Sequence, residues 1–301
     1  MELMFFENSV KERVYYLKWT IPSPIASVVI SHGMVEHPAR YSDFAHYLNS
    51  KGINVYGIYH IGHGENAKVL NHMDKGDFDR CISNLHELNT LVREKNGKPV
   101  FLFGHSMGSF MSQRYITRYD DLTGCILSGS TKANWIAKSG AILAKIMYAL
   151  SRNKAKPSKF MNAVAFGAYN KAFDHPKTDF DWLSRDEQQV EKYINDPYCG
   201  GICSIGFFMN LTGGMSAMGK KKYINAIKRD LPIYIQGGSM DPVSDMGKGL
   251  YALKKQYEDL GIQDVRLTVY EGARHEILNE VGREAVYKNT WEFIASILHR
   301  K

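Results

Sequence analysis

The chain predicts an α/β fold: a mostly parallel central sheet of about eight strands, flanked by helices and interrupted by an inserted helical cap. Three observations carry that expectation. Short continuous apolar runs alternate with amphipathic stretches, the pattern of strands buried on both faces between covering helices. The alternation stops after Ser130 and resumes at Leu231. Finally, Gly104-His105-Ser106-Met107-Gly108 joins a strand-like run to a helix-like one, where a sharp turn tolerates only small neighbours around an exposed serine.

The elements follow in order. Leu3–Glu7 and Glu12–Thr20 read as strands rich in Phe, Tyr, Val and Trp, paired antiparallel. Ala26–Ser31 is a short β-branched run for a fully buried strand. Tyr41–Lys51 reads as a helix stopped by Gly52. Ile53–Tyr59 is a second buried strand, and Asp79–Lys95 places Ile82, Leu85, Leu88, Leu91 and Val92 on one helical face. The strand Pro99–Phe103 runs into the serine turn, and a helix to Arg118 and the strand Gly124–Ser128 follow. Over the next hundred residues the strand signal is weak. Ile142, Leu143, Ile146, Met147 and Leu150 mark one amphipathic helix, and loops with Pro157, Pro176 and Pro197 come after it. Strands return at Leu231–Gln236 and Val265–Tyr270, and a last helix spans Gly282–His299. Residues 1–130 and 230–301 are therefore expected to form the core, with 131–229 as a cap above the carboxyl edge of the sheet, where open α/β sheets bind ligands.

Composition narrows the function classes. The 301 residues are 44% hydrophobic and 23% charged, ordinary for a globular protein. No apolar run approaches the ~18–20 residues of a membrane span, and the acidic start, with Glu2 and Glu7, does not read as a signal peptide. Four cysteines without zinc spacing fit a reducing, cytoplasmic setting and no metal site. The net charge is +7; Thr131–Phe160 holds seven Lys/Arg and no acid, and Lys220, Lys221, Lys222, Lys228 and Arg229 form a second cluster. Such stretches suit a solvated basic face or an anionic membrane surface. Nothing resembles a nucleic-acid-binding module.

A serine hydroxyl needs a base to take its proton, and the base needs a partner to hold its tautomer. Both should lie just past the ends of later strands. Leu231–Gln236 runs into a tight loop bearing Asp241, and Val265–Tyr270 runs into one bearing His275. The order Ser106, Asp241, His275 is the one such sheets use. Each partner also has a plainer role: Asp241, before Pro242, caps the helix that follows, and a loop histidine is often only a surface group. Asp245, the nearest rival acid, belongs to that helix's first turn. No carboxylate closely follows Ser128. The developing oxyanion needs two amides. Met107, after the serine, supplies one, and Met34, in the loop after Ala26–Ser31, supplies the other. The eleven histidines otherwise read as turn and polar-network residues, since no acid or cysteine cluster completes a metal site.

With these loops in hand the chain resembles the monoacylglycerol lipase and lysophospholipase branch of the α/β-hydrolases, which also includes the serine aminopeptidase group. His32–Tyr41 is similar to its His-Gly-x-x-Glu-His-x-x-Arg-Tyr motif. Gly62-His63-Gly64 resembles its Gly-His-Gly turn, and Ser184-Arg185 with Asp196-Pro197 resembles its Ser-Arg…Asp-Pro cap signature. One position departs: His60 stands where the branch usually has Asp, which bears on loop geometry rather than chemistry. The resemblance implies a cofactor-free serine hydrolase of acyl esters, with Ser106, Asp241 and His275 as triad and the Met34 and Met107 amides as oxyanion hole. In that reading Ile142, Ile146, Met147, Phe207, Phe208 and Met209 line an acyl channel, or alternatively pack the cap's own core. The alternatives are a peptidase or amidase, for which no clear acidic pair holds an amino terminus, and a non-catalytic scaffold, which usually lacks a triad member.

Overall fold

Strands whose residues are buried throughout need helices on both faces, and the chain supplies them. The computed structural model describes residues 1–133 and 135–300. Its strands are β1 (Glu2–Glu7), β2 (Arg13–Trp19), β3 (Ala26–Ser31), β4 (Ile53–Ile58), β5 (Val100–His105), β6 (Gly124–Ser128), β7 (Ile233–Gly238) and β8 (Val265–Tyr270). They form one sheet in the order β1-β2-β4-β3-β5-β6-β7-β8. β1 pairs antiparallel with β2, and β2 with β4; every later pairing is parallel. The expected leading antiparallel pair is therefore present, and the sheet has eight strands.

Period-two alternation sorts the strand side chains onto the two faces. Val29 and Leu102 point one way, with α2 (Asp77–Asn96), α3 (Met107–Tyr115) and α9 (Lys248–Asp259) contributing Ile82, Met111 and Leu253 to the same cluster. Val28, Ile30, Phe101 and Phe103 point the other way, against α1 (Ser42–Ser50) and α10 (Arg283–Leu298), through Phe44, Leu48 and Phe293. α2 is delimited by chemistry at both ends. Asp77 and Asp79 sit in its first turn, favourable at the positive end of the helix. Gly97, left-handed, closes it by donating to the Arg93 carbonyl at 2.8 Å.

Between β6 and β7 the described chain is helical. It forms α4 (Trp135–Leu150), α5 (Lys159–Phe166), α6 (Glu187–Asn195), α7 (Ile205–Met218) and α8 (Lys221–Ile224), with 3-10 turns at Tyr169–Ala172 and Asp181–Leu183. Sequence periodicity finds α4 and misses the next four. α7, Ile205-Gly-Phe-Phe-Met-Asn-Leu, is apolar nearly all round because it packs against α2, α3 and α4 at once, and a helix buried on several sides shows no stripe.

The turn between β5 and α3 leaves no room for side chains beside Ser106. A Cβ on Gly108 would collide with the backbone carbonyls of Ser31 and His32 on neighbouring β3, and one on Gly104 would meet Ser112 and the Gly108 carbonyl. Backbone cannot yield as a flexible side chain can. Gly108→Ala is expected to cost about 3 kcal/mol or more, or to prevent folding. Urea denaturation measures this, and an unchanged midpoint would contradict the packing.

Candidate active site

Ser106 sits at the tip of the β5–α3 turn with φ 50° and ψ −119°. That backbone is costly for a residue with a Cβ. It is held by the Ser106 amide donating to the Ser128 carbonyl at 3.0 Å and by α3, whose Ser109 and Phe110 amides donate back to the Ser106 carbonyl. The Ser106 hydroxyl has no hydrogen-bond partner among the described residues. Serine–base bonds are often long before substrate arrives.

The loops after β7 and β8 bring Asp241 and His275 together. Nδ1 of His275 lies 3.0 Å from Oδ1 of Asp241, and both residues are buried. The imidazole lies against Gly129, directly after β6, and its centroid is 4.8 Å from that of His105, the residue before Ser106. The imidazole is thus set beside the serine turn. Burial pulls the His275 imidazole down, but the Asp241 carboxylate more than reverses this and raises its pKa above the ordinary value. Asp241 also fills its plainer role: the same Oδ1 accepts from the Val243 amide at 2.9 Å, capping the turn Pro242–Ser244. Asp245 does not open the next helix. It takes a left-handed conformation before α9 starts, and is exposed beside Lys248.

The loop after β3 has its amides assigned on either side of Met34. The Gly33 amide donates to Glu36 Oε1 at 2.5 Å, and the Val35 amide to His63 Nε2 at 3.1 Å. Among the described residues the Met34 amide between them has no acceptor, and neither has that of Met107, which opens α3. First-turn amides have no acceptor inside their helix.

A buried charge network, which motif reading left without a role, ties this loop to the histidine loop. Arg40 reaches both oxygens of Glu276, at 2.6 and 2.7 Å, and Oε2 of Glu36 at 2.9 Å. Tyr41 donates to Glu36 Oε1 at 2.8 Å. Burial would push the Glu276 carboxyl up, yet Arg40 overrides it and holds it at about 2. On Glu36 burial prevails and the carboxyl moves up. Stranding a buried charge by removing its partner costs about 3–5 kcal/mol. Glu276 follows His275 directly, and that adjacency is the one sequence signal for it.

The inserted segment reaches the same loop. The His275 and Glu276 amides donate to the Trp182 and Leu183 carbonyls, at 3.4 and 2.7 Å, and the Trp182 ring lies 5.2 Å from the His275 ring between centroids. Arg185 pairs with Glu280, and His37 Nε2 with Asp196 Oδ2 at 2.8 Å. The paired Ser-Arg and Asp-Pro positions are thus ties from insertion to core. Cys199 brings its sulfur within 4.8 Å of the His37–Asp196 pair. Burial pushes the Cys199 thiol up from its ordinary value, and the His37–Asp196 bond ties the two segments together.

The expected channel residues divide. Ile142 and Ile146 are 63% and 52% exposed, because the opposite face of α4, with Ala141 and Ala144, is the buried one; they do not line a buried channel. Phe207 and Phe208 are buried in the larger core cluster, with Phe207 edge-on to His63, and Met147 and Met209 are half-buried against that cluster. A second serine–histidine–aspartate line exists, Ser204–His72–Asp74. Its hydroxyl is buried and accepts from the Phe207 amide as the cap of α7, so it faces no substrate.

The chain is similar to known proteins. Residues 22–282 match the family described as serine aminopeptidase, S33. The chain is 29% identical over 276 residues to monoglyceride lipase of Rattus norvegicus, an alignment covering 89% of this chain and 82% of the relative. It is 26% identical over 294 residues to monoacylglycerol lipase of Mycolicibacterium smegmatis, covering 95% and 94%. The crystal structure of a thermostable carboxyl esterase from Bacillus coagulans, in complex with glycerol, superposes with a TM-score of 0.90 at 27% identity, covering 99% of this chain and 98% of that one.

Beneath the Met34 loop, the ring of His32 lies 4.6 Å from that of His60 and 5.0 Å from that of His63, between centroids. Burial lowers all three, His60 to about 3 and His63 to about 4, and takes His105 to about 3. The network uses them neutral: His32 Nε2 accepts the His60 amide at 3.1 Å, and His60 Nε2 meets Ser31 Oγ at 2.8 Å. The unfolded chain binds protons at these groups below about pH 6.5, where the folded one does not, so stability falls as pH drops toward 4. His275, shifted upward, acts in the opposite sense but is one group against four. The urea midpoint is expected to fall steadily from pH 7 to pH 4.5, by on the order of a few kcal/mol of stability; a flat midpoint would contradict neutral buried histidines.

Proposed function

The chain belongs to the serine aminopeptidase S33 family and is a carboxylic ester hydrolase, and on that footing we propose that it cleaves monoacylglycerols or lysophospholipids through Ser106, His275 and Asp241. The observation that carries this reading is the buried His275–Asp241 hydrogen bond beside the strained Ser106 turn. Ser106 Oγ attacks the ester carbonyl carbon while Nε2 of His275 takes its proton. The oxyanion is held by the Met34 and Met107 amides. His275 returns the proton to the departing glycerol oxygen and leaves an acyl-Ser106. Water, deprotonated by His275, then attacks that carbonyl and releases the fatty acid, restoring the serine. Asp241 holds the tautomer that leaves Nε2 free to accept. The family name suggests peptides; the relatives above are named as lipases and an esterase, and lipid esters are the reading we adopt.

Residues 131–229 serve as the cap of this enzyme, and 1–130 with 230–301 as its catalytic core. The cap carries a surface suited to a lipid interface. Ile142, Ile146 and Leu150 project from α4, and Phe160 and Val164 from α5, all exposed. Exposed Lys145, Arg152 and Lys159 lie among them, with no acid between 131 and 160. Apolar side chains ringed by cations suit the boundary of an anionic membrane. No helix among the described residues is long and apolar enough to cross a membrane, which fits contact from one side. The four free cysteines support a reducing, cytoplasmic location.

A fluorophosphonate probe is expected to label the wild-type protein and not Ser106→Ala, whose esterase activity should fall by about four orders of magnitude or more; equal labelling of both would remove the assignment. On vesicles containing phosphatidylglycerol, monoacylglycerol hydrolysis should drop at least about fivefold between low and 0.5 M salt as charges are screened, while hydrolysis of a soluble short-chain ester should not. Vesicle activity indifferent to salt would rule out the docking surface.

A further inference from the structure

Away from Ser106, a second group of reactive side chains converges from distant parts of the chain. His37 follows the Met34 loop, and Asp196 and Cys199 lie in the turn after α6. A ring nitrogen of His37, a carboxylate oxygen of Asp196 and the sulfur of Cys199 all lie within 4.8 Å of one another. His37 and Asp196 stand 159 positions apart, so no local spacing of the kind that marks a zinc motif announces the group.

The turn holds its two members on one side. The Cys199 amide donates to the Asp196 carbonyl at 3.0 Å, and the Tyr198 amide donates to Oδ1 of Asp196 at 2.9 Å. Oδ2 is left facing Nε2 of His37, 2.8 Å away. The Gly200 amide, donating to the Val35 carbonyl at 3.1 Å, seats the turn on the Met34 loop. The imidazole–carboxylate bond accounts for His37 and Asp196 but gives the Cys199 sulfur no role. That sulfur is half-buried and forms no hydrogen bond with any described residue.

Imidazole, carboxylate and thiolate together are the donor set of a borderline ion such as zinc, whereas magnesium and calcium take oxygen ligands. Tetrahedral bonds of about 2.0–2.3 Å put donor atoms about 3.4–3.8 Å apart, which these atoms reach by shifts of roughly 1 Å or less. An entering ion releases the thiol proton to solvent, and the two negative charges then balance a dication. The Tyr198 amide on Oδ1 is the outer hydrogen bond that orients a ligating carboxylate. The charge of Arg40 also reaches Cys199, but Glu36 and Glu276 already neutralise it. We propose that His37, Asp196 and Cys199 bind a divalent ion of the zinc class, with water as the fourth ligand, and that the bound ion straps the segment between β6 and β7 to the Met34 loop.

Cobalt(II), a coloured stand-in for zinc, tests this in wild-type protein kept reduced, with a readout independent of ester hydrolysis. A single equivalent is expected to bind and to give the near-ultraviolet band of thiolate-to-cobalt charge transfer, and zinc is expected to erase that band by displacement. Cys199→Ser should lose the band, and Asp196→Asn should bind zinc at least about tenfold more weakly. Zinc should raise the melting temperature of the wild type by a few degrees and leave that of Cys199→Ser unchanged, while magnesium moves neither. A wild type without the band at micromolar cobalt, or a band that survives in Cys199→Ser, overturns the site. Should the variants fold poorly, the wild-type band and its stoichiometry still decide, because the other three cysteines are buried. Neither result bears on Ser106, which the fluorophosphonate probe tests separately.

Discussion

The arrangement of the site depends on one guanidinium. Arg40 lies between Glu36 and Glu276, and those two carboxylates belong to the two loops that must be held in mutual register. Glu36 accepts the Gly33 amide and so sets the peptide that presents Met34. Glu276 immediately follows His275. A bidentate pair is rigid in plane as well as distance, so the Arg40 geometry fixes the spacing of the loops and not merely their proximity. The segment between β6 and β7 leans on the same group: the Tyr193 ring of α6 covers the guanidinium, 4.7 Å from centroid to Cζ. A buried ion network is seldom the most stable way to fill such a space. Its value here is that losing Arg40 would leave both carboxylates without their cation, and losing Glu276 would break the bidentate pair, which restricts the loops to a single arrangement.

Much of this was legible in the sequence, for identifiable reasons. The parallel strands announce themselves because burial on both faces demands unbroken apolar runs, as in Ala26–Ser31. Ser106, Asp241 and His275 could be singled out because functional groups of such sheets sit where strands end and chain order is constrained by topology. What stayed hidden involves partners distant in the chain. Nothing local distinguishes Glu276 from a surface acid until Arg40 is placed beside it. The helix α7 escapes notice because it is apolar on nearly every side. Ile142 and Ile146 were misplaced for the opposite reason: an amphipathic stripe shows that a helix has an apolar face but not whether protein or something else covers it. On α4 the small residues Ala141 and Ala144 face inward and the large ones outward.

His60, the position at which the chain departs from the motif it resembles, has a local explanation. A carboxylate there would sit among His32, His63 and Ser31. In this chain His60 offers Nε2 to Ser31 Oγ and its amide to His32, so the loop is held by neutral rings, with the His60 Nδ1 left unsatisfied. The scaffold of the site is therefore sensitive to acid. The same histidines that shape the Met34 loop are the groups whose protonation would dismantle it.

The carbonyls of Trp182 and Leu183 receive the amides of His275 and Glu276, and Arg274 reaches back to the carbonyls of Asp181 and Ser184. This stretch of the cap is effectively laced to the floor of the site, whereas α4 makes its main contacts with α7 inside the cap itself. Residues 181–185 are thus tied to the histidine loop, while α4 is carried on α7, which itself packs on α2 and α3. A change in α4 would therefore be felt at the core by way of α7, whereas a change at 181–185 would reach the histidine loop directly.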